Sequence, residues 1–96
     1  MFKLKGSICN LKISGNDYMQ NVYIIDVIQP HNIETSSTRF IFLYPNGQIS
    51  RHKFSNDVLL LLTIEEQIKE FNNTFYKYVD IPKHLKKYIT NEKSEN

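Results

Sequence analysis

The apolar positions of this chain change period near Thr63. Before it, β-branched and aromatic residues alternate with polar ones or run in short stretches; after it, Ile64, Ile68, Phe71, Phe75 and Val79 recur at the spacing of one helix face. The pattern predicts a sheet followed by helices.

In the front half, Phe2, Leu4 and Ile8 fall on one face of a first strand while Leu11 and Ile13 fall on the other, which predicts a bend or bulge around Cys9 and Asn10. Gly15-Asn16-Asp17 supplies the first turn, since Gly and Asn tolerate positive φ and Asp accepts local backbone hydrogen bonds. A second strand runs from about Tyr18 to Ile28. Its stretch Val22 to Ile28 is apolar on both sides except at Asp26, as expected of a central strand covered on both faces. Pro30-His31-Asn32 ends it, and Glu34 to Thr38 reads as a polar, mobile loop. Arg39 to Tyr44 is a third strand. Tyr44-Pro45-Asn46-Gly47-Gln48 is a hairpin signal, with Pro setting φ early in the turn and Asn-Gly supplying positive φ. The fourth strand, Gln48 to Phe54, sets Ile49, Arg51 and Lys53 on one face and Ser50, His52 and Phe54 on the other, the composition of an edge strand protected by charge. Val58 to Leu62 reads as a short fifth strand, the alternative being the first turns of a helix.

Thr63-Ile64-Glu65-Glu66 matches the capping box, which starts a helix running from Ile64 to about Val79. Pro82 suits the first position of a second helix with Leu85, Tyr88 and Ile89 on its buried side and Lys83, Lys86 and Lys87 outside. The expected architecture is α+β: a four- or five-stranded antiparallel sheet, open or curled into a small SH3-like or OB-like barrel, followed by one long and one short C-terminal helix. Residues 1–90 are expected to form a single domain and 91–96 a disordered tail. A chain of 96 residues with 41% hydrophobic and 12% aromatic content has material for one core and no more.

Composition narrows the setting. The single Cys9 cannot form an intramolecular disulfide, which points to a reducing, cytoplasmic location. The first six residues alternate apolar and basic side chains without the apolar core of a signal peptide, and the longest apolar run falls far short of the roughly 20 residues that span a bilayer. No membrane is expected as a partner. Ile, Asn and Lys are abundant and Trp is absent, a bias of AT-rich genomes that suits a phage or plasmid origin. Net charge is only +2, but residues 1–56 are basic, 57–80 acidic and 81–96 basic again. These segments are suited to different surroundings.

No spacing of Cys, His, Asp, Glu, Ser or Gly forms a catalytic, metal or phosphate motif. Asp26 could act as a desolvated acid or base; the plainer reading is a carboxylate at a strand end or bulge, accepting from a backbone N–H or from Arg39. His31, His52 and His84 lack metal-site spacing, and Cys9 reads as a buried thiol. Arg51, His52 and Lys53, with Arg39 and Lys3, Lys5 or Lys12, could form a cationic face interleaved with Tyr23, Tyr44 or Phe54 that binds nucleic acid. The competing reading is a charged edge that resists aggregation. Lys83, Lys86, Lys87 and Tyr88 form a basic helix end that could meet phosphates or lie simply in solvent. The sequence therefore favours a non-enzymatic binding protein, without cofactor or metal, that docks onto another protein, for example as an inhibitor or a small complex subunit. Its expected contact residues are Arg39, Tyr44, Asn46, Arg51 and Lys53. A nucleic-acid-binding module using the cationic strand is the alternative, and an exposed strand edge would also allow a homodimer.

Overall fold

The computed structural model describes residues 4–12, 18–28, 38–53 and 58–94, with backbone alone at 53, 58 and 90–94. The expected first turn, residues 34–37 of the polar loop, Phe2, Ile13, His31 and Phe54 lie outside that set. Five strands precede the helices: β1 (Ile8–Lys12), β2 (Met19–Ile28), β3 (Arg39–Leu43), β4 (Ile49–Lys53) and β5 (Val58–Leu61). They form one antiparallel sheet in the order β4-β3-β2-β1-β5. The expected α+β class and the fifth strand are both observed. The sheet is not closed into a barrel, because β4 and β5 are its two edges.

Covalent reach nevertheless forbids a flat sheet. Lys53 lies at the level of Ile28 and Val58 at the level of Met19, opposite ends of the ten-residue β2. In a flat sheet these two residues would be separated by about 19 Å across the strands and about 30 Å along them. The five peptide links from Lys53 to Val58 span at most about 18 Å. The sheet must therefore coil, bringing the end of β4 toward the start of β5.

The bend that permits this lies in β2 and not, as the alternation of β1 suggested, at Cys9 and Asn10. The β1 register is continuous from Ile8 to Lys12, whereas β2 carries a bulge between Ile24 and Asp26 opposite β3. The alternation misled because the sheet is covered on both faces, so apolar residues on either side of β1 belong to a core. Cys9, Leu11, Val22, Ile24, Phe40 and Phe42 fill the inner, coiled face, joined by Leu59 and Tyr44. Ile8, Tyr23 and Leu43 point to the outer face, where the helices cover them.

The helix α1 (Ile64–Glu70) opens with the expected capping box: Thr63 N–H donates to Glu66 Oε1 and Glu66 N–H to Thr63 Oγ1. It does not continue as an α-helix to Val79. At Phe71–Phe75 it widens into a π turn, with Tyr76 N–H donating to Phe71 O at 2.6 Å. Phe71 and Phe75 are both fully buried against Tyr23, ring centroids 6.1 and 5.9 Å away, and the intervening Asn72-Asn73-Thr74 are weak helix formers. The π turn thus coincides with the ring packing. In α2 (Lys83–Ser94), Leu85 and Ile89 join the same core, but Tyr88 is 40% exposed, because the buried stripe of this helix is only as wide as an i,i+4 pair. Its helical backbone extends through Ser94, into the segment expected to be a tail.

Two ties lock the layers together. The buried Gln67 side chain bridges the sheet, its Oε1 accepting from Ile8 N–H and its Nε2 donating to Leu62 O, so one amide stands in for a missing rung between β1 and the end of β5. At the other side, Gly47 adopts φ +95° in the β3–β4 hairpin, and a Cβ there would lie 3.0 Å from the Tyr78 ring. Two predictions follow from this packing. Phe71→Ala and Phe75→Ala should each cost about 3–5 kcal/mol in denaturant unfolding, against a near-neutral Tyr76→Ala. Gly47→Ala should cost about 1–3 kcal/mol, with part of that loss recovered in a Tyr78→Ala background, as a double-mutant cycle would show.

Candidate functional site

The side chains that β2, β3 and β4 turn toward the inner face run past the edge of the core into an open cleft. Register sets their order: Ile24 pairs with Phe42 and Phe42 with Ser50, while Phe40 pairs with His52. Tyr44, one step beyond β3, continues this face into the hairpin. There Tyr18, Gln20, Tyr44, Pro45, Asn46 and Gln48 line a cleft of about 390 Å³. This is within the size range of ligand sites, which is roughly 300–1,000 Å³.

The hairpin is rigid by its own chemistry. Tyr44 N–H donates to Gln48 O at 2.8 Å, Gly47 N–H to Tyr44 O at 2.9 Å, and Asn46 Oδ1 accepts from Gln48 N–H at 2.9 Å. Tyr44 is held from below as well: its Oη lies 2.9 Å from His52 Nε2, which also lies 3.0 Å from Ser50 Oγ. The imidazole in turn packs on Phe42, ring centroids 5.1 Å apart. One nitrogen shared by two hydroxyls fixes the Tyr44 ring as one wall of the cleft. Tyr18, 67% exposed, brings a second ring to it. Among the described residues, no lining side chain carries a charge. What the cleft offers is flat aromatic surface beside side-chain amides that both donate and accept.

The predicted contact residues divide between the two faces of the sheet. Tyr44 and Asn46 line the cleft, whereas Arg39 and Arg51 are exposed on the outer face. Arg39 pairs in register with Lys53 and with Ile28, and Arg51 pairs with Ile41. Among the described residues the two arginines therefore share a face with isoleucines and with no exposed ring: Tyr23 lies on that face but is buried under the helices, and Tyr44 looks the other way. Interleaved lysines and tyrosines occur instead in the helical layer. Lys77 Nζ lies 5.2 Å from the Tyr78 ring and Lys87 Nζ 5.3 Å from the Tyr88 ring, and Tyr76, Lys77 and Lys86 help to line a cleft of about 630 Å³.

The remaining candidates have structural surroundings. Asp26 sits at the β2 bulge, 43% exposed, accepting from Val27 N–H at 2.8 Å; its ion partner is Lys5, with Nζ at 3.7 Å, and not the expected Arg39. Cys9 is fully buried, and desolvation pushes its thiol pKa up to about 12. His84 packs beside Gly6, its pKa lowered by burial first and by Lys87 second. Among the described residues, no three His, Cys, Asp or Glu side chains are grouped to hold a metal ion. Sequence reasoning missed Tyr18, Gln20 and Gln48 as site residues, since no local pattern joins Tyr18 to Tyr44; the strand pairing alone brings them together. The chain matches no protein-family model, no curated protein and no solved structure.

Burial of Cys9 has a direct readout. At pH 8, Ellman's reagent should leave the folded protein unmodified over minutes and titrate one thiol after unfolding, because attack requires the thiolate. Rapid labelling of the folded chain would mean that the inner core opens readily.

Proposed function

We propose that the protein is a non-enzymatic binding module that docks onto another protein, and that it does so by holding an extended segment of that partner in the Tyr18–Tyr44 cleft. The observation that carries this reading is the cleft's lining of two tyrosines, a proline and three amide side chains, with no charge among the described residues. Aromatic faces receive apolar side chains or proline rings, and amides meet the unpaired carbonyls of an extended backbone. A phosphate-bearing ligand would require cations beside the rings, and the nearest arginines of the sheet lie on its other face. Under this proposal the coiled sheet is an SH3-like barrel left open between β4 and β5. The analogy concerns architecture alone, although SH3 domains also use aromatic-lined grooves, for proline-rich segments. The unpaired, buried Cys9 supports a cytoplasmic location, and among the described residues no helix is long and apolar enough to cross a membrane.

One observation favours a second reading. The Lys77/Tyr78 and Lys87/Tyr88 pairs, together with Tyr76 and Lys86, give the helical layer the mix of cations and rings that single-stranded nucleic acid meets.

Peptide display against the purified protein tests the first reading. Selected sequences should be extended and weakly charged, and Tyr18→Ala or Asn46→Ala should weaken their binding by about tenfold or more while Arg39→Ala and Arg51→Ala leave it unchanged. Failure to select any peptide, or indifference to the cleft substitutions, would refute it. For the second reading, fluorescence anisotropy with labelled oligonucleotides across a salt series should show binding whose logarithm falls linearly with log salt. Lys86→Ala with Lys87→Ala should then shrink that slope by about one to two units.

A further inference from the structure

The two edges of the sheet differ in kind. The edge strand β4 presents Arg51 to solvent and has Lys53 at its end. The edge strand β5 is Val58-Leu59-Leu60-Leu61, without a charge or a proline, and Leu60 and Leu61 are 53% and 57% exposed on its opposite faces. No described residue pairs with its outer side, and an apolar edge of this kind is a template for another strand.

We infer that β5 pairs with the β5 of a second copy of this chain, joining two five-stranded sheets across a two-fold axis at Leu60. The register follows from the hydrogen bonding already in place. Leu62 N–H donates to Ile8 O, so Leu62 and, two residues earlier, Leu60 turn their backbone groups toward β1. By antiparallel alternation Leu59 and Leu61 turn theirs outward. A two-fold axis perpendicular to the sheet requires each residue to meet one of the same parity. Centring it on Leu60 sets Leu59 opposite the second copy's Leu61, and Leu61 opposite the second copy's Leu59. These are the residues with outward-facing groups, and four N–H···O=C bonds form. On one face Leu60 meets its own copy; on the other, Leu59 and Leu61 form two cross-strand pairs. Every side chain in the contact is apolar.

Charge argues for a closed dimer and against an open array. The symmetric register that uses all of β4 would set Arg51 directly against a second Arg51, and like charges in that position are destabilising. One edge thus accepts its copy and the other refuses it, the condition for a two-fold assembly that stops at two. This inference is independent of what occupies the Tyr18–Tyr44 cleft.

Sedimentation velocity and light scattering over a concentration series test it. The intact protein should approach twice the 11.4 kDa chain mass. Leu60→Lys, which opposes two ammonium groups at the axis, should raise the dimer dissociation constant by about tenfold or more, while Ile49→Lys on the other edge leaves it unchanged. Both leucines exposed on β5 lie outside the core, and far-UV circular dichroism would confirm that the variant folds. An orthogonal test uses Leu60→Cys: at the axis the two cysteines face each other at disulfide distance, so mild oxidation should yield a covalent dimer on a non-reducing gel. Leu61→Cys, opposite Leu59 of the second copy, should not cross-link with its own copy. A protein that stays monomeric at several hundred micromolar and gives no Leu60→Cys cross-link would overturn the inference. So would a mass that climbs past two chains with concentration, since that would signal β4-to-β5 pairing in an open chain.

Discussion

The shape of this protein depends on how little chain separates β4 from β5. Two edge strands whose facing ends would lie far apart in a flat sheet are joined by only four residues, so the sheet has no choice but to coil. Coiling creates an inner face narrow enough for Cys9, Leu11, Val22, Ile24, Phe40 and Phe42 to fill without help from any helix. It also creates a convex outer face at Ile8, Tyr23 and Leu43, on which Phe71, Phe75, Leu85 and Ile89 settle. The β2 bulge, the double core and the placement of the helices are all compatible with that one short connection.

What could be read from the sequence was local. The capping box at Thr63 and Glu66 and the Pro45-Asn46-Gly47 hairpin depend on a few neighbouring residues, and both appear in the structure, although Gly47 alone, and not Asn46, takes the positive φ expected of the Asn-Gly pair. The Phe71 and Phe75 stripe was legible for the same reason. The π turn between those rings was not, and the ring both of them pack against, Tyr23, lies nearly fifty positions earlier. Gln67 offered no signal either: a glutamine on an amphipathic helix looks like surface until the strands it bridges are in place. At the candidate site, Tyr44 and Asn46 could be named from the hairpin alone. Their separation from Arg39 and Arg51 could not, since apolar residues on both faces hide which way a strand is turned.

That separation shapes the functional picture. Aromatic and amide groups gather in the cleft inside the coil, isoleucine and arginine cover the outer face of β3 and β4, and lysine and tyrosine meet along the helices. A two-fold pairing at β5 would leave both clefts free, since β1 lies between each of them and the shared edge. Two linked clefts can engage a repeated or paired target with an effective concentration that neither has alone. Modest affinity at each site would then suffice.

The pairing of β1 with β5 also bears on how the molecule is made. Cys9 lies opposite Leu61, fifty-two positions later in the chain. While the chain is emerging from the ribosome, β1 can find β2 early, yet the far side of β1 stays open until the last strand has cleared the exit tunnel. Through that interval Ile8 and the backbone beside it lack both β5 and the Gln67 bridge. Until β5 arrives, the nascent chain exposes the open backbone edge of β1, and the rate of synthesis past β5 and α1 sets how long that exposure lasts.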